Sequence, residues 1–229
     1  MVQIDFQRRE VAIKLVYYGP ALSGKTTNLQ MLHERIDKGA RGRLLSLDTK
    51  DDRTLFFDLL PIYFKSASGL TIKVKLFTVP GQVIHNSTRR IVLQGADGVA
   101  FIADSRVAET THNNESYANL KANLKENGFN PSEMPIVIQF NKRDLPGIRS
   151  DAELAKISAR GREPIFPASA ISGEGVIETF FGLMSITWDH LEKRYQLTER
   201  FGSSREEFME SLAKQVQATP REIAEGGLR

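Results

Sequence analysis

The 229-residue sequence predicts an α/β fold: a mostly parallel central sheet, helices on both faces, and a short C-terminal helical extension. Three observations carry this. Short apolar runs alternate with segments whose apolar residues recur at helical spacing. Two polar motifs each follow directly on an apolar run, at the carboxyl end of an expected strand, where open parallel sheets bind ligands. Capping patterns then recur beyond the last long helix. Strands are expected over 11–18, 44–47, 59–65, 71–79, 98–103, 136–140 and 165–166, and helices over 25–37, 83–93, 114–126, 151–159 and 176–195. In the last helix Val176, Ile177, Phe180, Met184, Trp188 and Leu191 share helical spacing and read as core.

The chain divides into a domain over 1–197 and an extension over 198–229. Phe201-Gly202-Ser203-Ser204 breaks the long helix, and Ser204-Arg205-Glu206-Glu207 is a capping-box pattern. Phe208, Leu212 and Val216 then form one stripe. Thr219-Pro220-Arg221-Glu222 is a second capping signal, with Pro at the first helical position, and Gly226-Gly227 ends it. So short a helix is marginal alone, so it is expected to dock, on its own domain before any partner.

The first polar motif is Gly19-Pro20-Ala21-Leu22-Ser23-Gly24-Lys25-Thr26, a G-x-x-x-x-G-K-[ST] loop between a strand and a helix pattern. Loops of this kind cradle phosphates with backbone N–H groups, and the following helix N-terminus favours the anion. Lys25 would reach the outer phosphates and Thr26 would place its hydroxyl on Mg²⁺. Gly19, Ala21, Leu22, Ser23, Gly24, Lys25, Thr26 and Thr27 are therefore expected to contact nucleotide.

The second motif, Asn141-Lys142-Arg143-Asp144, follows the apolar run 134–140 and selects guanine. The Asp144 carboxylate can accept two parallel hydrogen bonds from the N1–H and N2 amine of guanine. Adenine has no amine there and would leave the carboxylate unpaired, which is costly. Asn141 can bond the base and tie to the phosphate loop, and the aliphatic stem of Lys142 can cover a ring face. Ser169, Ala170 and Ile171 follow the next short strand, where backbone N–H groups could meet guanine O6.

With Gly19-x4-Gly24-Lys25-Thr26, Pro80-Gly81-Gln82, Asn141-x-x-Asp144 and Ser169-Ala170, the chain resembles the Ras-like small GTPases over residues 8–195. Tyr17-Tyr18-Gly19-Pro20, Lys25-Thr26-Thr27-Asn28-Leu29, Asp52-Arg53-Thr54-Leu55-Phe56-Phe57-Asp58 and Thr78-Val79-Pro80-Gly81-Gln82-Val83 narrow this to a resemblance to the bacterial MglA family of cell-polarity and motility GTPases. The resemblance implies a Ras-like G domain that binds GTP or GDP with Mg²⁺ and hydrolyses GTP. It makes 51–59 switch I, where Thr54 would bind Mg²⁺ and the γ-phosphate, and starts switch II at Pro80-Gly81-Gln82. Gly81 would approach the γ-phosphate, and Gln82 would orient the attacking water. Arg53 matches the family's arginine finger, supplied within the same chain. A roadblock/longin-type, MglB-like dimer would be the activating partner, pushing Arg53 and Gln82 into place. Polarity or motility effectors would read the GTP state.

Two positions depart from the Ras pattern. Thr78 stands where Ras-like chains carry the Asp that holds Mg²⁺ through water, as in MglA-like chains, so the outer shell must be filled otherwise, with Asp52 a candidate. Ala21 stands where Gly is usual, and its methyl can crowd Gln82 and Arg53, which predicts slow hydrolysis without a partner. The same methyl keeps a second reading open, a GTP-bound scaffold that barely hydrolyses. A P-loop kinase fits worse, because Asn141-x-x-Asp144 selects guanine and no Arg-rich lid is evident.

A net charge of +3, with dispersed basic pairs and no interleaved aromatics, argues against nucleic acid as a partner. The sequence has no cysteine, which excludes disulfides, thiolate metal sites, a Cys nucleophile, prenylation and palmitoylation. Met1-Val2 does not suit myristoylation. No apolar run approaches membrane-spanning length. The expectation is a cytoplasmic protein without a direct membrane anchor, recruited to a cell pole through partners.

Overall fold

A computed structural model describes residues 2–47, 57–224 and 227. Eight strands form one sheet: β1 (Gln3–Asp5), β2 (Glu10–Tyr18), β3 (Leu45–Leu47), β4 (Phe57–Lys65), β5 (Thr71–Thr78), β6 (Gly98–Asp104), β7 (Ile136–Asn141) and β8 (Ile165–Pro167). Their order is β3-β4-β5-β2-β6-β7-β8, with β1 also paired to β2. β5, β2, β6, β7 and β8 run parallel, while β3, β4 and β1 pair antiparallel. The mostly parallel expectation holds because every connection among the central strands contains a helix.

The helices are α1 (Lys25–Arg35), α2 (Asn86–Leu93), α3 (Thr110–Glu126), α4 (Asp151–Arg160), α5 (Val176–Tyr195), α6 (Leu197–Phe201), α7 (Arg205–Gln215) and α8 (Pro220–Ala224). β6 is buried along its whole length, as suits a strand covered on both faces. Leu29 and Leu32 of α1 join Ile177, Phe180 and Trp188 of α5 in one core layer. Val92 of α2, Leu120 and Leu124 of α3, and Leu154 of α4 fill the other. Gly98 lets α5 sit close on the sheet: a Cβ there would lie 2.4 Å from Thr187 Oγ1.

Several boundaries differ from expectation. α1 ends at Arg35, because Ile36 is already extended. The helix expected over 83–93 opens as a 3₁₀ turn over Val83–His85. α3 starts four residues before the expected 114, after a 3₁₀ turn over Val107–Glu109. β1 and α6 were not legible: one is three residues long, the other five. Gln196, at φ +53, ends α5 in the left-handed conformation and so creates α6.

The extension docks on its own domain. Phe208, Leu212 and Val216 are fully buried, as their stripe requires. Phe208 stacks on Trp188 of α5 with centroids 4.1 Å apart and meets Phe64 of β4 at 5.9 Å. Ser204 caps α7 by accepting the Glu207 N–H at 3.2 Å. The return half of the expected capping box is missing, because the Glu207 carboxylate instead accepts the Ser68 N–H of the β4–β5 turn. The second box is complete: Glu222 N–H donates to Thr219 Oγ1 at 3.3 Å, and Thr219 N–H to Glu222 Oε2 at 2.6 Å. Glu222 also pairs with Arg35 of α1 at 3.0 Å.

Candidate functional site

The β2–α1 loop, the β5–α2 connection and the ends of β7 and β8 meet at the carboxyl edge of the sheet. The phosphate loop needs its glycines. Gly19 has φ +149, and a Cβ there would lie 2.2 Å from Ile102 O. Gly24 has φ +97, and a Cβ would lie 2.2 Å from Asn141 Nδ2. Between them Leu22 is also left-handed (φ +58) and points to solvent. Loops with interspersed left-handed residues form anion-binding concavities.

Lys25 is buried and donates to Gly19 O at 3.1 Å and Pro20 O at 2.7 Å. Burial, with help from the Arg89 and Lys142 cations and against Asp58, brings its pKa down to about 7. The Ser23 hydroxyl is buried and has no hydrogen-bond partner among the described residues. An ammonium held by two carbonyls, together with a buried hydroxyl, in a loop whose Gly19 and Gly24 leave no room for a Cβ, fits a polyphosphate. Lys25, Thr26, Thr27, Gly81, Asp58 and Thr78 line an adjoining cavity of about 490 Å³.

Asp58 is the residue that sequence reasoning missed. The Thr26 hydroxyl donates to Asp58 Oδ2 at 2.7 Å, and the Ser46 hydroxyl donates to Oδ1 at 2.7 Å. Thr78 Oγ1 donates to Oδ2 at 3.0 Å and accepts the Asp58 N–H at 2.8 Å. β4 therefore supplies the carboxylate that Thr78 of β5 lacks. Because the Thr26 proton goes to Asp58, the oxygen lone pairs are left for a cation. Among the described residues no cluster of His, Asp or Glu forms a cage. A carboxylate inside the apolar run 55–60 was the available signal. Asp52, Arg53 and Thr54 lie outside the described residues.

Gly81 packs on the phosphate loop: a Cβ there would lie 2.3 Å from Ala21 Cα. Gln82 beside it is exposed. Ala21 and Gly81 are thus direct neighbours.

The base motif is tied to the phosphate loop through Asn141. Its Nδ2 donates to Ser23 O at 2.8 Å, and its Oδ1 accepts the Ala170 N–H at 2.9 Å. The Ser169 N–H goes to Glu174 O at 2.9 Å. The expected O6 donors are thus engaged within the protein, and a base oxygen would compete with Asn141 for Ala170. Asp144 is exposed, and its Oδ1 accepts the Ser169 hydroxyl at 2.6 Å. Ile171 is three-quarters exposed beside this motif. Lys142 has φ +67, and its ammonium pairs with Asp104 Oδ2 at 2.8 Å. Burial opposes ionisation of Asp104, but Arg106 and Lys142 outweigh it and bring the carboxyl to about 2. Beneath, Asn28 of α1 and Gln139 of β7 exchange two amide hydrogen bonds at 2.9 Å, and Gln139 also donates to Thr179 of α5. These buried amides fix the spacing between the phosphate and base motifs.

No protein-family model matches the chain. Over 190 residues, 83% of this chain and 97% of the relative, it is 42% identical to the mutual gliding-motility protein MglA of Myxococcus xanthus. The chain belongs to the MglA family of Ras-like small GTPases. Over 88 residues, 38% of this chain and 21% of that protein, it is also 26% identical to GTPase Obg of Anoxybacillus flavithermus. In this MglA-family chain Thr78 pairs with Asp58 from the neighbouring strand. Among the described residues no helix is long and apolar enough to cross a membrane.

Proposed function

We propose that this MglA-family chain is a guanine-nucleotide switch that hydrolyses GTP to GDP and phosphate and takes part in bacterial cell polarity or motility. The observation that carries the reading is the Asn141 bridge, which makes the phosphate loop and the base motif one unit. Lys25, Thr26, Gly81 and the loop from Gly19 to Thr27 would hold the phosphates. Asn141, Lys142, Asp144, Ser169, Ala170 and Ile171 would frame guanine. Thr26 and Thr54 would ligate Mg²⁺, which shields phosphate charge, with Asp58 holding Thr26 from behind. Gln82 and Arg53 would serve hydrolysis, once an MglB-like roadblock dimer presses them into place. Effectors of polarity or motility would read the GTP form of a cytoplasmic protein brought to a pole by its partners.

Residues 1–197 would form the G domain and 198–229 an extension that tunes partner choice. The contact of Gly81 with Ala21 supports slow turnover, and it favours a second reading, a scaffold that holds GTP without hydrolysing it. Titration calorimetry on nucleotide-stripped protein with Mg²⁺ tests the core claim. GTP and GDP should bind and ATP should not, and Asp144→Ala should abolish the discrimination. Equal affinity for guanosine and adenosine nucleotides would end the reading. Phosphate release with and without a roadblock partner separates switch from scaffold.

A further inference from the structure

Arg89 is among the most deeply buried charges of the molecule, at 1% exposure, and it meets no carboxylate among the described residues. Its guanidinium is held by neutral dipoles. Nε donates to Pro80 O at 2.8 Å, one Nη to Gly81 O, and the other to Asn119 Oδ1 at 2.8 Å. Removing a guanidinium from water without a counter-charge is expensive, so its retention calls for a reason.

The geometry supplies one. The Pro80–Gly81 peptide is trans, so the Gly81 N–H points opposite to the Pro80 carbonyl across a planar unit. With that carbonyl turned to Arg89, the N–H faces away from the guanidinium. Pro80 and Gly81 line the same cavity as Lys25 and Thr26. Arg89 also lies near enough to Lys25 to add to burial in lowering its pKa.

Arg89 is itself held rigidly. Asn119 of α3 takes the Tyr18 hydroxyl as well as the guanidinium, and its amide donates to Asn86 of α2 at 2.9 Å. Asn123 donates to Asn86 at 2.8 Å and to the Tyr18 oxygen at 3.0 Å. The guanidinium stacks 5.4 Å from the Tyr18 ring centre. Arg89 is thus braced by α3 on one side and grips the start of switch II on the other.

We propose that Arg89 is a positioning residue that aims the Gly81 N–H at the terminal phosphate, and that its buried charge favours the triphosphate over the diphosphate. The inference rests on the GTP-switch reading. In it Arg89 acts through the Pro80–Gly81 backbone and through its field, without touching nucleotide.

The test uses the full chain, stripped of nucleotide and supplied with Mg²⁺, and measures affinity for GDP and for a non-hydrolysable GTP analogue. Arg89→Met should weaken the analogue roughly tenfold or more, as expected for one charge-assisted hydrogen bond lost. GDP affinity should stay within about twofold. Arg89→Lys keeps the charge without the fork, so it should recover part of the analogue affinity. A purely structural role would weaken both ligands alike, and that result, or an unchanged ratio, overturns the proposal. If Arg89→Met does not fold, Asn119→Asp supplies the missing counter-charge and should lower the analogue-to-GDP preference; an unchanged preference overturns the proposal equally. A wild-type chain that binds neither ligand would instead remove the GTP-switch reading beneath it.

Discussion

Thr26 of α1 and Asp58 of β4 meet at 2.7 Å through a hydroxyl-to-carboxylate hydrogen bond that joins the start of α1 to β4. The acid behind the Thr26 hydroxyl comes from β4, and its neighbour Thr78 from β5 braces it. Asp58→Asn should therefore weaken Mg²⁺-dependent GTP binding by about 10- to 100-fold, the usual cost of losing an outer-shell partner. Adding Thr78→Asp should restore part of the loss, because the two side chains already touch. Magnesium titration of nucleotide release measures both, and unaltered magnesium dependence in Asp58→Asn would exclude the role.

Ala21 lies against Gly81, next to the exposed Gln82. Ala21→Gly should speed single-turnover GTP hydrolysis, by up to about 10²-fold if the methyl displaces the reacting groups by an ångström. Phosphate release after rapid mixing with Mg²⁺ reports the rate. Identical rates in the two proteins would rule out the steric account.

Lys25, buried among other cations, has its pKa pulled from 10.5 to about 7 in the nucleotide-free protein. Between those values the unfolded chain binds the extra proton, so stability without nucleotide should rise with pH across the window. Phosphate restores the ammonium, so GTP binding in the same window should take up a proton. Calorimetry in buffers of different ionisation enthalpy detects the uptake. A binding enthalpy independent of buffer would contradict it.

Phe208 is fully buried between Trp188 and Phe64, with the Trp188 ring stacked on it. Phe208→Ala should cost about 3–5 kcal/mol of folding stability. Its site is on α7, which packs on α5 and β4, so GTP affinity of the folded variant should be unchanged. Denaturant unfolding and nucleotide titration check the pair of outcomes, and a large loss of affinity in folded protein would place the extension in the nucleotide site.

The sequence by itself determined what lies within a few consecutive residues. The loop from Gly19 to Thr26, the Asn141–Asp144 motif and the Phe208–Leu212–Val216 stripe were legible because strand, turn and helix signals are local and adjacent there. Only the tertiary structure decided which distant groups meet. Pairing of β4 with β5, set at Leu59–Phe77, brings Asp58 beside Thr78, and no local pattern encodes a register between strands. The same holds for Arg89, whose carbonyl and Asn119 partners come from two separate segments, and for Glu207, which leaves its own helix cap for the Ser68 N–H. Local propensity writes the motifs; the side-chain partners that tune their charge are chosen by packing across the sheet, where sequence distance carries no information.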